Sequence, residues 1–241
     1  MKLYIHSRVR AVLTALSVLA ASHISIPVSA AGQQDLYVGY QSKAGSFATV
    51  QEAVNKAASL NPSGESDRVT IHIAPGTYRE QVIVQTPYIS FVNDEPSKDV
   101  VLTWYYGIGY KYYSAGEKGY YDANAARSKS TKRVANYRWG GTVLLLPKAT
   151  HFKAQYITFE NSFNRYVTDE ELRDGVQLSG DTSVSNISFQ RQKGADVRSK
   201  AATERGAALS ADAAYCEFYD CDFLSSQDTL YTGGAPQYSK R

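Results

Sequence analysis

Cysteine is scarce in this chain. Cys216 and Cys221 are the only two among 241 residues, too few for the disulfide framework that staples small secreted domains, although an oxidising compartment tolerates them. Histidine is sparse as well. His6, His23, His72 and His151 are scattered, whereas zinc wants three or four ligands held together, so no metal site is expected and the cysteines read as small buried side chains. An excess of one charge is also missing. Lys and Arg number 26 against 23 Asp and Glu, a net +3, and Lys2, Arg8 and Arg10 sit in an acid-free leader, without which the signs balance. That balance argues against a nucleic-acid binder, which needs a concentrated cationic face. With 7 Pro, 17 Gly and 43% hydrophobic residues, the chain is neither collagen-like, low-complexity nor wholly disordered. Long apolar runs are absent too: Ala11 to Ala21 contains Thr14 and Ser17 and ends at Ser22 and His23, short of the ~20 residues a membrane span requires.

What is present begins with that leader. Basic residues, a short apolar run and the small residues Val28-Ser29-Ala30 read as a signal peptide over 1–30, so the protein is expected to be secreted, extracellular or periplasmic. A linker over 31–45 follows. Ser46 to Leu60 then predicts a helix, with Thr49 and Glu52 as a capping box and Val50, Ala53, Val54 and Ala57 on one face. From Val69 to Ala74 the period changes to that of a strand, punctuated by Pro75-Gly76.

A spacing then repeats: apolar-x-apolar-x-x-apolar-x-apolar. It occurs as Phe152, Ala154, Ile157, Phe159 and as Cys216, Phe218, Cys221, Phe223, with an earlier copy at Val84, Thr86, Ile89, Phe91 and a weaker one at Thr182, Val184, Ile187, Phe189. The central pair would turn the chain between two short strands sharing an inward face. Such copies suggest an all-β solenoid, a parallel β-helix; a sandwich would show similar strands, but clear two-residue hairpin turns are absent. Two regions break the pattern, Trp104 to Trp139 with its many tyrosines, and Asn161 to Arg205. The first is expected to project as a long loop without regular strands. Its tyrosines either stack on sugar rings or cover the solenoid's flank.

Four segments, in order, resemble the pectin methylesterases: Phe47-Ala-Thr-Val-Gln-Glu-Ala-Val54, Gly76-Thr-Tyr-Arg-Glu80, Ile157-Thr-Phe-Glu-Asn161 and Ser226-Gln227-Asp228-Thr229-Leu230-Tyr231. The resemblance runs from about Tyr37 to the last residue. It implies a right-handed parallel β-helix over 46–241 that removes methyl esters from the galacturonate of pectin, using two aspartates and neither metal nor cofactor. No G-x-S-x-G elbow competes with that chemistry. By resemblance Asp228 is the general acid and base, and Gln227 donates its amide to the oxyanion. An acid in that role needs burial or a neighbouring carboxylate to hold its proton. Thr142 falls where the family places a threonine near the substrate. Glu80 and Tyr78 are expected to hold the fold.

Two departures stand out. Where many members have Q-A-V-A-L, this chain has Arg205-Gly206-Ala207-Ala208-Leu209, so Arg205 replaces an oxyanion glutamine; it could stabilise developing charge or bind a galacturonate carboxylate. No counterpart of the family's D-F-I-F-G-like segment, source of the nucleophilic aspartate, or of its later G-R-P-W-like arginine segment occurs. The expectation is a domain truncated at its C-terminus that releases little methanol alone. The expected partner is methylesterified pectin, bound by a monomer. A non-catalytic binder of acidic polysaccharide is the alternative, and a calcium-dependent pectate lyase a weaker one.

Overall fold

The computed structural model describes residues 32–108, 110–135, 140–163, 165–174, 177–178, 205–233 and 237–240, all within one compact unit, Ala31–Arg241. In chain order its elements are β1 (Gln34–Val38), α1 (Val50–Leu60), β2 (Val69–Ile73), β3 (Gly76–Arg79), β4 (Val82–Val84), β5 (Ile89–Val92), β6 (Val100–Trp104), β7 (Tyr110–Tyr112), α2 (Ala123–Ser128), β8 (Arg133–Val134), β9 (Val143–Leu145), β10 (Lys153–Gln155), β11 (Thr158–Asn161), α3 (Asp169–Asp174), β12 (Gln177–Leu178), β13 (Leu209–Ala211), β14 (Cys216–Tyr219), β15 (Asp222–Leu224), β16 (Leu230–Thr232) and β17 (Gln237–Lys240). A short 3-10 turn, Glu65–Asp67, precedes β2.

Strands this short cannot bury a face alone, so they stack. A first sheet has the order β1-β2-β5-β10-β14-β17, a second β15-β11-β6-β3 and a third β16-β13-β9-β4, and every pairing within them is parallel. Successive coils give one strand to each sheet, which is a parallel β-helix. Inward side chains meet their counterparts one coil away: Ile71, Phe91, Ala154 and Phe218 lie in one register column, and Leu102, Phe159 and Phe223 in another. Phe159 and Phe223 stack at 5.3 Å, 8° from parallel.

The repeat predicted from the sequence is correct in two copies and out of register in the third. Ile89 and Phe91 belong to β5, whose partner is β10, so they correspond to Phe152 and Ala154 rather than to Ile157 and Phe159. The second half of that coil is Val100 and Leu102, displaced by the longer turn 93–99. Asn93 organises that turn: its amide donates to Lys98 O at 2.8 Å and its Oδ1 accepts from Glu95 N at 2.9 Å. Val84 lies in the third sheet opposite Leu145. In the regular copies the turn needs a left-handed residue, Tyr156 at φ 58 and Asp220 at φ 49. The copy Thr182 to Phe189 lies outside the described residues.

The stretch read as linker contains β1, paired along its length with β2. The solenoid therefore begins before residue 46; its first strand shows only Leu36 and Val38, too few apolar positions to signal a strand. Helix α1 starts at Val50, with Thr49 as N-cap and both capping-box bonds to Glu52 present. Its buried Val50, Ala53, Val54 and Ala57 join the solenoid core. Glu80 completes the cap, accepting from Val50 N at 2.8 Å and Gln51 N at 2.9 Å. Tyr78 donates its hydroxyl to Ala74 O at 2.8 Å and leaves no room for a Cβ at Gly39.

Both interruptions leave the solenoid at the same edge, between a strand of the second sheet and one of the third. The first, between β6 and β9, is not a projecting loop. It contains β7, α2 and β8, with β12-β7-β8 as a separate antiparallel sheet, and it encloses a second core of Trp104, Tyr105, Tyr106, Tyr110, Tyr112, Ala115, Ala135 and Phe163. Tyr105, Tyr106, Tyr110 and Tyr112 are buried there, Tyr106 stacking on Tyr112 at 4.3 Å, so these four cover the solenoid's flank rather than present rings to a sugar. The expectation failed because tyrosine runs do not alternate, and their burial depends on hydroxyl partners distant in sequence.

Candidate functional site

At the edge from which the interruptions depart, two coils are joined tightly: β3 to β4 through Glu80–Gln81, and β15 to β16 through Ser225–Thr229. The second of these turns is the Ser-Gln-Asp-Thr segment. It is bound to the coil before it. Ser225 Oγ donates to Gly206 O at 2.5 Å, Gly206 N to Gln227 O at 3.4 Å and Ala208 N to Thr229 O at 2.9 Å. Asp228 occupies the left-handed region, φ 52, which short polar side chains tolerate better than most.

That turn sets Asp228 against Arg205. The guanidinium Nη1 lies 3.3 Å from Asp228 Oδ2, and the side chains are 35% and 33% exposed, so the pair is open to a ligand. Gln227 neighbours it in the same half-buried turn. In the ladder β13 runs parallel to β16 with Leu209 opposite Leu230, an offset of 21 residues, one fewer than the 22 that separate Arg205 from Gln227. The sequence reading asked for burial or a second carboxylate around Asp228; the structure gives a side chain one third exposed whose ion-pair partner is a guanidinium.

Thr142 lies at the same corner but faces inward. It is fully buried, and its hydroxyl donates to Glu160 O at 2.6 Å, while its backbone N donates to Ala207 O at 3.0 Å. It braces the strand below Arg205 rather than presenting a hydroxyl to solvent. Asn161 is the residue whose role sequence reasoning missed. Buried at the end of β11, it donates to Tyr106 O at 3.0 Å, Gly140 O at 3.2 Å and Ala207 O at 3.2 Å and accepts from Phe163 N at 2.9 Å. One amide thus gathers both ends of the first interruption and the coil carrying Arg205. A Cβ at Gly206 would come within 2.9 Å of that amide, so only glycine fits there. The available signal was an asparagine closing an apolar strand, a residue that must find partners once buried.

Neither cysteine is poised as a nucleophile. Both are free thiols, Cys216 donating weakly to Ala213 O at 3.6 Å and Cys221 to Tyr219 O at 3.3 Å, and burial pushes each up to about 11. Among the described residues no three His, Cys, Asp or Glu side chains converge as metal ligands, and no helix is long and apolar enough to cross a membrane.

No family model matches the chain. Among curated proteins it is 25% identical over 202 residues to Pectinesterase 31 of Arabidopsis thaliana, covering 83% of this chain and 46% of that protein. To Pectinesterase QRT1 of the same plant it is 46% identical over 63 residues, 25% of this chain and 16% of that one. Among solved structures, pectin methylesterase PemA from Erwinia chrysanthemi superposes with a TM-score of 0.51 at 17% identity, over 86% of this chain and 47% of the other. Escherichia coli YbhC gives 0.51 at 18% identity, over 92% and 50%. The chain therefore spans at most about half the length of the proteins it matches. With pectinesterases as its curated relatives and the parallel β-helix of the pectin methylesterases as its fold, the chain is related to the pectin methylesterase family.

Proposed function

We propose that this chain works as a secreted carbohydrate esterase that removes methyl esters from pectin galacturonate, modifying plant cell-wall polymer. The observation that carries the reading is the Asp228–Arg205 pair, 3.3 Å apart at the one edge where both interruptions leave the solenoid. There Asp228 takes a proton from the water that attacks the ester carbonyl and returns it to the methanol as the C–O bond breaks, and Gln227 donates its amide to the tetrahedral oxyanion between the two steps, a contact of the kind worth ~3 kcal/mol. Arg205 stands where the family's alignment has a glutamine, and takes the galacturonate carboxylate or the developing oxyanion. Thr142 enters as a brace of that corner rather than as a group touching sugar. Residues 1–30 act as signal peptide, and the functional unit is a monomer.

The same pair favours a second reading, a non-hydrolytic binder, because it leaves Asp228 engaged by a cation. Methanol release and retention on methylesterified pectin, measured with the 241-residue chain, separate the two. The esterase reading expects retention that Arg205→Ala weakens, with methanol release slow and abolished by Asp228→Asn. Release that persists in Asp228→Asn contradicts the assigned acid. Retention with no release supports the binder, and no retention removes pectin as the substrate.

A further inference from the structure

A recess of about 360 Å³ opens at the same edge of the solenoid where β3 turns into β4. Neighbouring strands lie ~4.8 Å apart, so this turn, three coils before that of Asp228, is roughly 14 Å away along the axis. One wall is the exposed face of α1 with Asn55, another is Arg79, and the far side is the Trp104–Tyr121 pair. These rings meet edge to face at 5.0 Å. Trp104 is almost wholly buried, but Tyr121, packed against the edge of the second core, is 40% exposed. Its position is fixed by Gln81, which accepts from Tyr121 N at 2.8 Å and donates to Gly141 O at 2.8 Å.

The charges in the recess nearly cancel. Glu80 is occupied by the backbone N–H groups of Val50 and Gln51, and Glu52 accepts from Thr49 N at 3.1 Å. Against these carboxylates stand the helix's positive N-terminal end and Arg79, which has no ion-pair partner among the described residues. Asn55 accepts from Gln51 Nε2 at 2.9 Å, which leaves its own amide N–H groups as donors. An aromatic surface meets the weakly positive C–H face of a pyranose, while amide, guanidinium and carboxylate groups satisfy its hydroxyls. A near-neutral recess suits an uncharged sugar better than an ionised one.

We propose that this recess is a second carbohydrate-binding site, separate from the Asp228 corner, that takes one uncharged pyranose unit. The choice of a methylesterified galacturonate as that unit rests on the functional reading above. The chain has two tryptophans, Trp104 and Trp139, so Trp139→Phe leaves Trp104 as the only indole reporter. Emission is then titrated with methylesterified trigalacturonate, with its de-esterified form and with a neutral hexose trimer. The expected result is a saturable change with the ester, weaker for the de-esterified form, weakened about tenfold by Tyr121→Ala and untouched by Asp228→Asn. Asn55→Ala, on an exposed helix face, gives a second variant that leaves the aromatic core intact and is also expected to weaken binding. Midpoints unchanged in both recess variants, a response lost with Asp228→Asn, or no response to any sugar overturns the proposal. A response to the hexose trimer with none to either galacturonate refutes the pectin reading and leaves the site standing.

Discussion

The molecule has two cores built on opposite principles. The solenoid core is aliphatic and phenylalanine-rich, and its residues repeat because each coil must present the same inward positions to the next. The second core, beside the solenoid, is made of tyrosines and a tryptophan, and it is held by hydroxyls as much as by rings. Tyr105 OH donates to Asp174 Oδ2 at 3.1 Å, Tyr106 OH bonds Ser114 Oγ at 2.5 Å, and Tyr112 OH accepts from Gly107 N at 2.8 Å. Asp174 also takes Ser114 N at 2.7 Å and Ser114 Oγ. Burial, with Asp174 nearby, pushes the Tyr105 and Tyr106 phenols upward, so both stay protonated donors. One core is stabilised by area removed from water, the other only while a buried polar network is satisfied.

That contrast can be broken first in the solenoid. Phe159→Ala removes a fully buried ring stacked on Phe223 and is expected to cost about 4 kcal/mol of global stability in denaturant unfolding. Asp174→Ala is expected to cost about 3 kcal/mol, by leaving Ser114 and Tyr105 donors buried without their acceptor. Its signature is local: amide hydrogen exchange rises across 105–135 while the solenoid strands keep their protection. Loss of protection in both would mean that the two cores unfold as one. Thr49→Ala removes the capping box of α1 and is expected to lower the melting temperature by the equivalent of about 1 kcal/mol.

The smallest effect is a pH dependence in the solenoid. Hydrogen bonding to Arg68 holds Glu65 down from 4.5 to about 2. A carboxylate lowered by folding contributes stability that is present above 4.5 and lost as pH falls toward 2. Because Glu65 is largely exposed, the contribution is small, and Glu65→Gln is expected to flatten that part of the stability curve. Glu80 works in the opposite sense: burial holds its carboxyl above the ordinary value, so its contribution weakens as pH rises past 4.5. A stability curve unaltered by Glu65→Gln would remove the Arg68 pair from the account.

The same contrast explains what the sequence could disclose. Phe152 to Phe159 and Cys216 to Phe223 were legible because a two-residue turn keeps their spacing, and Thr49 and Glu52 because a capping box is local. The copy at Val84 slipped because the length of the turn 93–99 is set by Asn93 and its bonds to Lys98 and Glu95, not by alternation. Burial of the tyrosines depends on Asp174, 60 residues beyond Ser114, which no window of sequence reveals. At the candidate site, the motif named Gln227 and Asp228 and the alignment named Arg205, and the structure adds that Arg205 meets Asp228 at 3.3 Å. The inward hydroxyl of Thr142 was not legible, because its acceptor is a backbone carbonyl 18 residues away.

The central claim is that pectin meets this chain at the edge between the second and third sheets, where Arg205 faces Asp228. The most direct test follows backbone amide chemical shifts while methylesterified oligogalacturonide is added. The account predicts the largest saturable shifts at 205–208 and 226–229, suppressed by Arg205→Ala. Binding that leaves those amides unmoved would contradict it.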